Sequence, residues 1–176
     1  RSVPDFPLFI YCFPGAAKND VSPRLLAELH KQAPNIIGAK ITNPDITRFQ
    51  EYVAANENGF LLFNGVDSLA LPALAVGSRG QVSGNANVFP EVLCDIYHAF
   101  ATGDLAKAQR CQQLLNRIRH TLSDGVHPAY LKAALKLRGL DVGSVRSPMR
   151  ELTADEQEAL ATNMASLLQE IGGRVA

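Results

Sequence analysis

A lysine and a tyrosine on two predicted strands are the residues best able to do chemistry. Lys40 lies in the apolar run at residues 36–41, where strand alternation predicts that Ile36, Gly38 and Lys40 share one face. An ammonium group among apolar neighbours loses hydration, which favours the neutral amine, and a neutral amine can condense with a ketone. Gly38 would leave room for a substrate beside the amine. A lysine at a strand end can also extend to solvent, so both interpretations stay open here.

Tyr11 lies at an equivalent depth on the preceding predicted strand. Neighbouring strands are about 5 Å apart, so the phenol of Tyr11 can approach the amine of Lys40. Imine formation and carbon–carbon bond cleavage both need a proton moved at the substrate oxygen, and a buried phenol beside a cation can move it. The alternative is an aromatic side chain that fills the interior and bonds a backbone carbonyl.

Short apolar runs alternate with helical patterns, which predicts a parallel sheet with right-handed crossovers followed by helices alone. The first helix begins at Ser22, an N-cap residue, and the last has a capping box at Thr153 and Glu156. The predicted strands are residues 8–13, 36–41, 60–63 and 81–83. The predicted helices are residues 22–33, 45–56, 68–76, 90–101, 105–122, 128–140 and 153–171.

The ends of the predicted strands favour part of a barrel over an open nucleotide-binding sheet. Residues 14–18 follow the first strand and contain neither G-x-G-x-x-G nor a P-loop pattern. Barrel enzymes collect their catalytic groups at the carboxyl ends of the strands. The residues at or just after these ends are Tyr11, Lys40, Gly65, Asp67, Ser83 and Asn85.

Composition and charge exclude several classes of partner. Seventeen Lys and Arg residues balance seventeen Asp and Glu residues, so no net field favours a nucleic acid or an anionic membrane. The apolar runs are well short of the roughly 20 residues of a membrane span. Cys12, Cys94 and Cys111 form no disulfide pattern, and the four histidines match no metal-ligand spacing. These features predict a soluble, cytoplasmic protein with no metal and no cofactor.

Two motifs and three later landmarks stand in a distinctive order. Residues 11–15 read Y-C-F-P-G and residues 36–40 read I-I-G-A-K. N-G-V-D at 64–67, G-Q-V-S at 80–83 and N-A-N-V-F-P at 85–90 follow. In order and spacing the chain resembles the dihydrodipicolinate synthase and N-acetylneuraminate lyase family, whose signatures are Y-N-x-P-G and I-x-G-x-K. The resemblance covers essentially the whole chain.

The resemblance implies an α/β fold, a (β/α)8 TIM barrel of which this chain carries the last four βα units plus C-terminal helices. Residues 1–103 would be the barrel half and residues 104–176 a helical extension. In this family the loop for the pyruvate carboxylate belongs to an earlier strand. The chain is therefore expected to be the C-terminal part of an enzyme, or a half-barrel that pairs through its sheet edges.

The resemblance also implies roles for individual residues. Lys40 would form a Schiff base with pyruvate or a pyruvate-yielding 2-keto acid, and Tyr11 would transfer protons. The backbone near Val82 would flank the lysine. The distal part of the substrate would contact Gly65, Asp67, Ser68 and Gly84. From the residues alone, Asp67 and Ser68 could instead cap a helix, and the two glycines could simply permit tight backbone.

Departures from the family pattern bear on the substrate. Cys12 replaces the asparagine after the tyrosine, Ala16 replaces the arginine of the lysine-biosynthetic synthases, and Ile41 replaces their acidic residue. The prediction is therefore an aldolase for a neutral or hydroxylated 2-keto acid, such as a 2-keto-3-deoxy sugar acid or 4-hydroxy-2-oxoglutarate. Lys18 could meet a substrate carboxylate or remain a solvated loop residue.

Two alternatives to the aldolase stay open. One is a synthase or hydratase that uses the same imine. The other is a catalytically incomplete binding module in which Lys40 is the partner of a structural ion pair. The resemblance further implies a homo-oligomer, a dimer or a tetramer.

Overall fold

Four strands form a parallel sheet in the computed structural model, which describes residues 5–56 and 59–172. Neighbours in the sheet are also neighbours in sequence, and all three pairs are parallel. The strands are β1 (Leu8–Cys12), β2 (Ile36–Ile41), β3 (Leu61–Asn64) and β4 (Gly80–Gln81). The first three match the prediction closely. The fourth begins one residue earlier than predicted and ends at Gln81.

Helices connect the strands and, with loops and short 3-10 turns between them, follow the last strand in the described chain. They are α1 (Pro14–Ala17), α2 (Pro23–Gln32), α3 (Ile46–Ala55), α4 (Ala70–Ala75), α5 (Pro90–Ala101), α6 (Leu105–Thr121), α7 (Pro128–Leu137) and α8 (Ala154–Ile171). The side chain of Ser22 caps α2, and Thr153 with Glu156 forms the predicted capping box of α8. The prediction missed α1, a single turn. None of the described helices combines the length and the apolar character needed to cross a membrane.

One face of the sheet packs against α2 and α3 and forms a hydrophobic core. We call it the helix face; its central strand residues are Cys12, Ala39, Ile41 and Leu62. Leu26 of α2 and Phe49 and Tyr52 of α3 cover this face. Burying a large apolar side chain contributes about 1.5–3 kcal/mol, so this face is the main source of stability for the sheet.

The opposite face carries Lys40, and we call it the amine face. Residues paired in register point to the same side of a parallel sheet, and the pairs here are Phe9 with Gly38, Tyr11 with Lys40, and Lys40 with Phe63. The rings of Phe9 and Phe63 meet edge to face across Gly38, with centroids 5.7 Å apart. A side chain at position 38 would overlap the ring of Phe9.

The predicted orientation of Ile36 was wrong. The pairing of β1 with β2 shifts between Leu8 and Phe9, because Leu8 pairs with Ile36 whereas Phe9 pairs with Gly38. One extra residue, Ile37, therefore enters β2 at an irregularity. The shift places Ile36 in the core of the helix face, while Gly38 and Lys40 share the amine face as predicted.

The described chain divides into two compact units. One comprises Arg1–Val82 with Asp95–Gln112 and contains the sheet; the other comprises Ser83–Cys94 with Gln113–Ala176. In the second unit α7 packs against α8. Its fully buried apolar side chains include Val88, Phe89, Leu115, Ile118, Leu122 and Met164. The domain boundary at residue 103 stays a prediction, and the outer ends of those predicted domains lie outside the described residues.

Candidate active site

The carboxyl ends of the four strands are joined by one backbone ladder. The N–H of Thr42 donates to the carbonyl of Cys12 at 2.9 Å. The N–H of Gly65 donates to Ile41 at 2.8 Å, and that of Val82 to Asn64 at 2.9 Å. Thr42, Gly65 and Val82 therefore each occupy the first position after a strand, at the edge of the sheet where barrel enzymes place their chemistry.

Lys40 and Tyr11 are in contact at this edge. They are paired in register on β2 and β1, and the Nζ of Lys40 lies 4.1 Å from the centroid of the Tyr11 ring. A cation at this distance is attracted by the electrons of the ring face. Among the described residues, no carboxylate forms an ion pair with Lys40, and no hydrogen bond involves its Nζ. The structural ion pair of the binding-module alternative is therefore not formed here.

Tyr11 is not buried as expected. Its side chain is 54% exposed, and its ring stacks on that of Phe13 with centroids 5.8 Å apart. Its hydroxyl has no hydrogen-bond partner among the described residues. The alternative hydrogen bond from this hydroxyl to a backbone carbonyl is therefore not observed among them.

Gly65 provides the space beside the Lys40 side chain. A Cβ at position 65 would lie 2.7 Å from the Cε of Lys40 and would overlap the hydroxyl of Thr42. Only glycine avoids both clashes. The Oγ1 of Thr42 is itself buried, and none of the described residues is its hydrogen-bond partner. Lys40, Tyr11, Gly65 and Thr42 thus form one cluster on the amine face.

Asp67 and Ser68 do not cap a helix, so that alternative was wrong. Both lie in a 3-10 turn, Asp67–Leu69, which has no side-chain cap. Asp67 is buried, and its carboxylate accepts a hydrogen bond from Nε2 of Gln81 at 2.7 Å. Ser68 is partly buried in the same turn. Substrate contacts by Asp67, Ser68 and Val82 stay predictions.

Gly84 lies in the second compact unit. A Cβ at position 84 would meet the carbonyl group of Gly125, with the carbon atom 2.9 Å away. Gly125 itself has φ +70, a conformation that favours glycine. The tight-backbone alternative therefore explains Gly84 within its own unit, and its predicted substrate contact stays a prediction.

A second polar cluster lies on the helix face, behind Tyr11. The sulfur of Cys12 is 3.4 Å from the hydroxyl of Tyr52, which donates to the carbonyl of Val21. Burial raises the pKa of Tyr52 above its ordinary value, and its hydrogen bond with Cys12 and the charge of Asp20 add to this rise. Although partial burial alone would raise the pKa of Asp20, hydrogen bonds, chiefly from Arg48, lower it.

The lysine of the loop after β1 makes a local hydrogen bond in this structure, and its contact with a substrate carboxylate stays a prediction. Lys18 ends α1 with a left-handed φ of 57°, and its Nζ donates to the carbonyl of Gly15 at 2.7 Å. The amine therefore closes the short helix that carries it. Ala16 lies within that helix, where the lysine-biosynthetic synthases would have an arginine.

Sequence reasoning missed Thr42, Asn64, Gln81 and Gln112. Thr42 follows Lys40 by two residues, and a polar residue directly after an apolar strand was a usable signal. The buried amides of Asn64 and Gln112 gave no such signal, because an amide residue in a strand or helix is usually exposed. Gln81 was predicted only as part of a strand.

Comparison with known proteins gives the context for this cluster. The family model described as the dihydrodipicolinate synthetase family matches residues 2–167. The chain is 38% identical over 164 residues to an uncharacterized DapA-like lyase of Halobacterium salinarum, covering 93% of this chain and 53% of the relative. It is 33% identical over 161 residues to the 4-hydroxy-tetrahydrodipicolinate synthase of Bacillus subtilis, covering 92% and 56%. The chain spans about half the length of these curated relatives.

Solved structures show the same fold. Dihydrodipicolinate synthase DapA-2 of Bacillus anthracis superposes with a TM-score of 0.86 at 34% identity, covering 92% of this chain and 55% of its own. YagE of E. coli K12, solved in complex with pyruvate, superposes with a TM-score of 0.85 at 27% identity, covering 92% and 56%. The predicted fold class is thereby confirmed: the chain has an α/β fold and carries four βα units of a (β/α)8 barrel followed by helices.

Proposed function

The chain belongs to the dihydrodipicolinate synthetase family, and from this premise we propose that it carries the imine-forming centre of a class I aldolase. Lys40 is the nucleophile and Tyr11 is the acid and base. Pyruvate, or a 2-keto acid that yields pyruvate, is the substrate. The centre uses no cofactor, since the imine nitrogen itself accepts the electron pair of the broken bond.

The observation that carries this proposal is the contact of the Lys40 amine with the ring of Tyr11 at 4.1 Å. Both residues are at the carboxyl edge of a parallel sheet, where this class of barrel does its chemistry. The ring of Tyr11 lies against the amine and Gly65 lies beside the lysine side chain, and none of the described carboxylates neutralises the amine. A structural lysine would have such a partner.

The proposed cycle begins when the neutral amine of Lys40 attacks the 2-keto carbon and forms a carbinolamine. Loss of its hydroxyl group as water takes the proton of Tyr11 and leaves a protonated imine and a phenolate. The phenolate accepts the proton of the C4 hydroxyl while the C3–C4 bond breaks and its electron pair moves towards nitrogen. An aldehyde leaves and an enamine remains. Tyr11 returns the proton to C3, and water adds to C2 to release pyruvate and the amine.

A solved relative supports pyruvate as the substrate, because the structure of YagE was determined in complex with pyruvate. A hydroxyl group farther along the substrate is supported by Thr42. A buried hydroxyl without a partner costs about 1–3 kcal/mol. The hydroxyl of Thr42 lies next to Gly65 and the Lys40 side chain, so a substrate hydroxyl could satisfy it once the Lys40 side chain shifts to form the imine. We therefore favour a hydroxylated acid, such as a 2-keto-3-deoxy sugar acid or 4-hydroxy-2-oxoglutarate.

A synthase is the second candidate, because several curated relatives are named 4-hydroxy-tetrahydrodipicolinate synthase. It would make the same imine with pyruvate and then add it to an aldehyde. Ala16 opposes this candidate, since an alanine cannot bind the carboxylate of aspartate semialdehyde. A dimer or tetramer stays a prediction, which the mass of the chain in solution would test.

Reductive trapping tests the imine directly. The chain is incubated with pyruvate and cyanoborohydride, and peptide mapping identifies the labelled lysine. We expect one pyruvate-derived mass addition at Lys40, its loss in Lys40→Ala, and slower trapping in Tyr11→Phe. Lys31→Ala, an exposed lysine of the same unit, is the matched control and should be labelled like the parent chain. Trapping absent from the parent chain, or unchanged in Lys40→Ala, would contradict the proposal.

The substrate is tested separately from the imine. The chain is offered pyruvate with hydroxylated aldehydes or with aspartate semialdehyde, and the carbon–carbon bond formed is measured. Turnover of the hydroxylated aldehydes supports the aldolase. Turnover of aspartate semialdehyde alone would instead establish the synthase.

A further inference from the structure

A buried polar cluster joins β3, β4 and the turn after β3, on the side of the sheet away from the amine. Asn64 is 1% exposed, Asp67 is 7% exposed and Gln112 is 8% exposed. Asn64 and Gln81 are paired in register, so both point to the helix face. Burying polar groups costs several kcal/mol unless they are hydrogen-bonded, so these bonds are structurally important.

Three hydrogen bonds in this cluster form a chain with one direction. The N–H of Val66 donates to Oδ1 of Asn64 at 3.1 Å, and Nδ2 of Asn64 donates to Oε1 of Gln81 at 2.6 Å. Nε2 of Gln81 then donates to Oδ1 of Asp67 at 2.7 Å. An ionised carboxylate can only accept, so Asp67 fixes which end of the Gln81 amide faces it, and Gln81 in turn fixes Asn64.

Through Gln81 this chain links Asn64 to Asp67, the first and last residues of a four-residue turn. Gln112 holds the far end of the turn, since its Nε2 donates to the carbonyl of Asp67 at 2.9 Å and its Oε1 accepts from the N–H of Leu71 at 2.8 Å. Gly65 lies inside the turn, and its Cα faces the Cε of Lys40. The position of this turn therefore determines how much space the amine has.

We propose that Gln81 is a positioning residue of the imine centre. From the helix face it joins Asn64 to Asp67, which keeps the Gly65 turn against the side chain of Lys40 on the amine face. It touches neither the amine nor a ligand and acts through the turn. The role in turnover rests on the proposed function, but the effect on the Lys40 amine can be measured without pyruvate.

Gln81→Glu is the informative variant because its effect depends on pH. A protonated carboxyl can accept from Asn64 and donate to Asp67, as the amide does. An ionised carboxyl cannot donate, and it repels the carboxylate of Asp67. A neighbouring like charge raises the pKa of a carboxyl, so the change falls in an accessible range of pH. Gln81→Leu keeps the size of the side chain and loses both bonds at every pH. Gln50→Glu adds the same charge at an exposed site of the same unit and is the control.

The first measurement is acetylation of Lys40 by acetic anhydride, relative to the exposed Lys136 in the same molecule, across about pH 5.5 to 8.5. At the alkaline end we expect the ratio of Lys40 to Lys136 acetylation in Gln81→Glu to differ about tenfold from that in the parent chain. A change of this size is typical when a reactive group is displaced from its position. At the acid end the acetylation ratio of Gln81→Glu should lie within about twofold of the ratio in the parent chain. Gln81→Leu should differ throughout and Gln50→Glu not at all. Melting curves establish that the variants are folded.

Equal Lys40 labelling in the parent chain, Gln81→Glu and Gln81→Leu at every pH would overturn the proposal. So would a difference in Gln81→Glu that does not change with pH, because a purely structural defect would behave in that way. Pyruvate trapping is then repeated on the same variants. Absence of trapping in the parent chain would refute the proposed function alone, since the acetylation result decides the role of Gln81 independently.

Discussion

The two faces of the sheet use the same strands in opposite ways. On the helix face, Ala39 and Ile41 are completely buried under α2 and α3. The amine face carries the alternate residues of β2, Gly38 and Lys40. The half-exposed Tyr11 of the neighbouring strand β1 lies beside Lys40 on this face. Successive residues of β2 therefore alternate between the packed core and the face that we propose binds the substrate.

The difference between the faces shows where polar groups are tolerated. On the helix face each buried polar side chain is part of a network, such as the bonds of Tyr52 and those of Gln81. On the amine face the Lys40 amine and the Thr42 hydroxyl have no hydrogen-bond partner among the described residues. Satisfied groups stabilise a fold, whereas an unsatisfied group beside the proposed imine centre marks a position where a ligand could supply the missing bond.

The largest expected effect separates stability from chemistry. Phe49→Ala removes a fully buried ring from the helix face and should lower the free energy of unfolding by about 3–5 kcal/mol. Lys40→Ala on the amine face should abolish pyruvate trapping and lower the free energy of unfolding by less than about 0.5 kcal/mol. Urea denaturation and trapping on both variants check this. Loss of several kcal/mol in Lys40→Ala would show that the amine face also carries the fold.

A single methyl group should disturb the amine face next. In Gly65→Ala the added Cβ would collide with Thr42 and Lys40, so the amine must move. We expect the rate of pyruvate trapping to fall about 100-fold. Gly80→Ala is the control on the same face, because its new methyl would meet only the ring of Phe63 at 3.3 Å. Similar losses in the two variants would show that any added volume on this face is harmful.

Tyr52→Phe tests the helix face at the level of one hydrogen bond. The hydroxyl of Tyr52 donates to Val21, and its loss should lower the free energy of unfolding by about 1–2 kcal/mol without slowing trapping at Lys40. Since burial raises the pKa of Tyr52 in the folded chain above its ordinary value of 10.0, Tyr52 loses its proton at a lower pH in the unfolded chain.

The contribution of Tyr52 to the free energy of unfolding should therefore be fully present below about pH 10, and it should be lost as the pH rises further. Tyr52→Phe should lack this alkaline decline. Unfolding curves at neutral and alkaline pH measure it. An identical decline in parent and variant would assign the pH dependence to another group.

Thr42→Val should have the smallest and most selective effect. It keeps the shape of the side chain and removes an unsatisfied hydroxyl, so the free energy of unfolding should rise by about 1 kcal/mol. Pyruvate trapping should be unchanged, whereas condensation with hydroxylated aldehydes should slow several-fold. Thr47→Val, at an exposed site of α3, is the control. An equal slowing with aldehydes that lack a hydroxyl would contradict the proposed contact.

The predictable parts of the fold have local causes. Ser22 and the box of Thr153 and Glu156 fixed helix starts within a few residues, because a cap acts within one turn. The pairing of Tyr11 with Lys40 followed from the depth of each residue on its strand, since parallel neighbours in a barrel align their carboxyl ends. The family and the closed (β/α)8 barrel were predicted from the resemblance to known sequences and not from these local causes.

The missed features depend on contacts between distant residues. The register shift at Ile37 reverses the side of Ile36, and strand alternation carries no signal of it. The carboxylate of Asp67 meets Gln81 fourteen residues later and its carbonyl meets Gln112, so local reasoning saw only a possible helix cap. The exposure of Tyr11 likewise depends on what covers the amine face rather than on its own strand.

The contact between Lys40 and Tyr11 also gives the chain an optical reporter. The sequence has no tryptophan and four tyrosines, so tyrosine dominates its near-ultraviolet absorption and emission. One of these four chromophores has the nitrogen of a lysine 4.1 Å from its ring centre. A keto acid that binds the amine would change the charge and polarity above that ring. Difference absorption near the tyrosine band could therefore follow adduct formation continuously, without a label or a coupled assay.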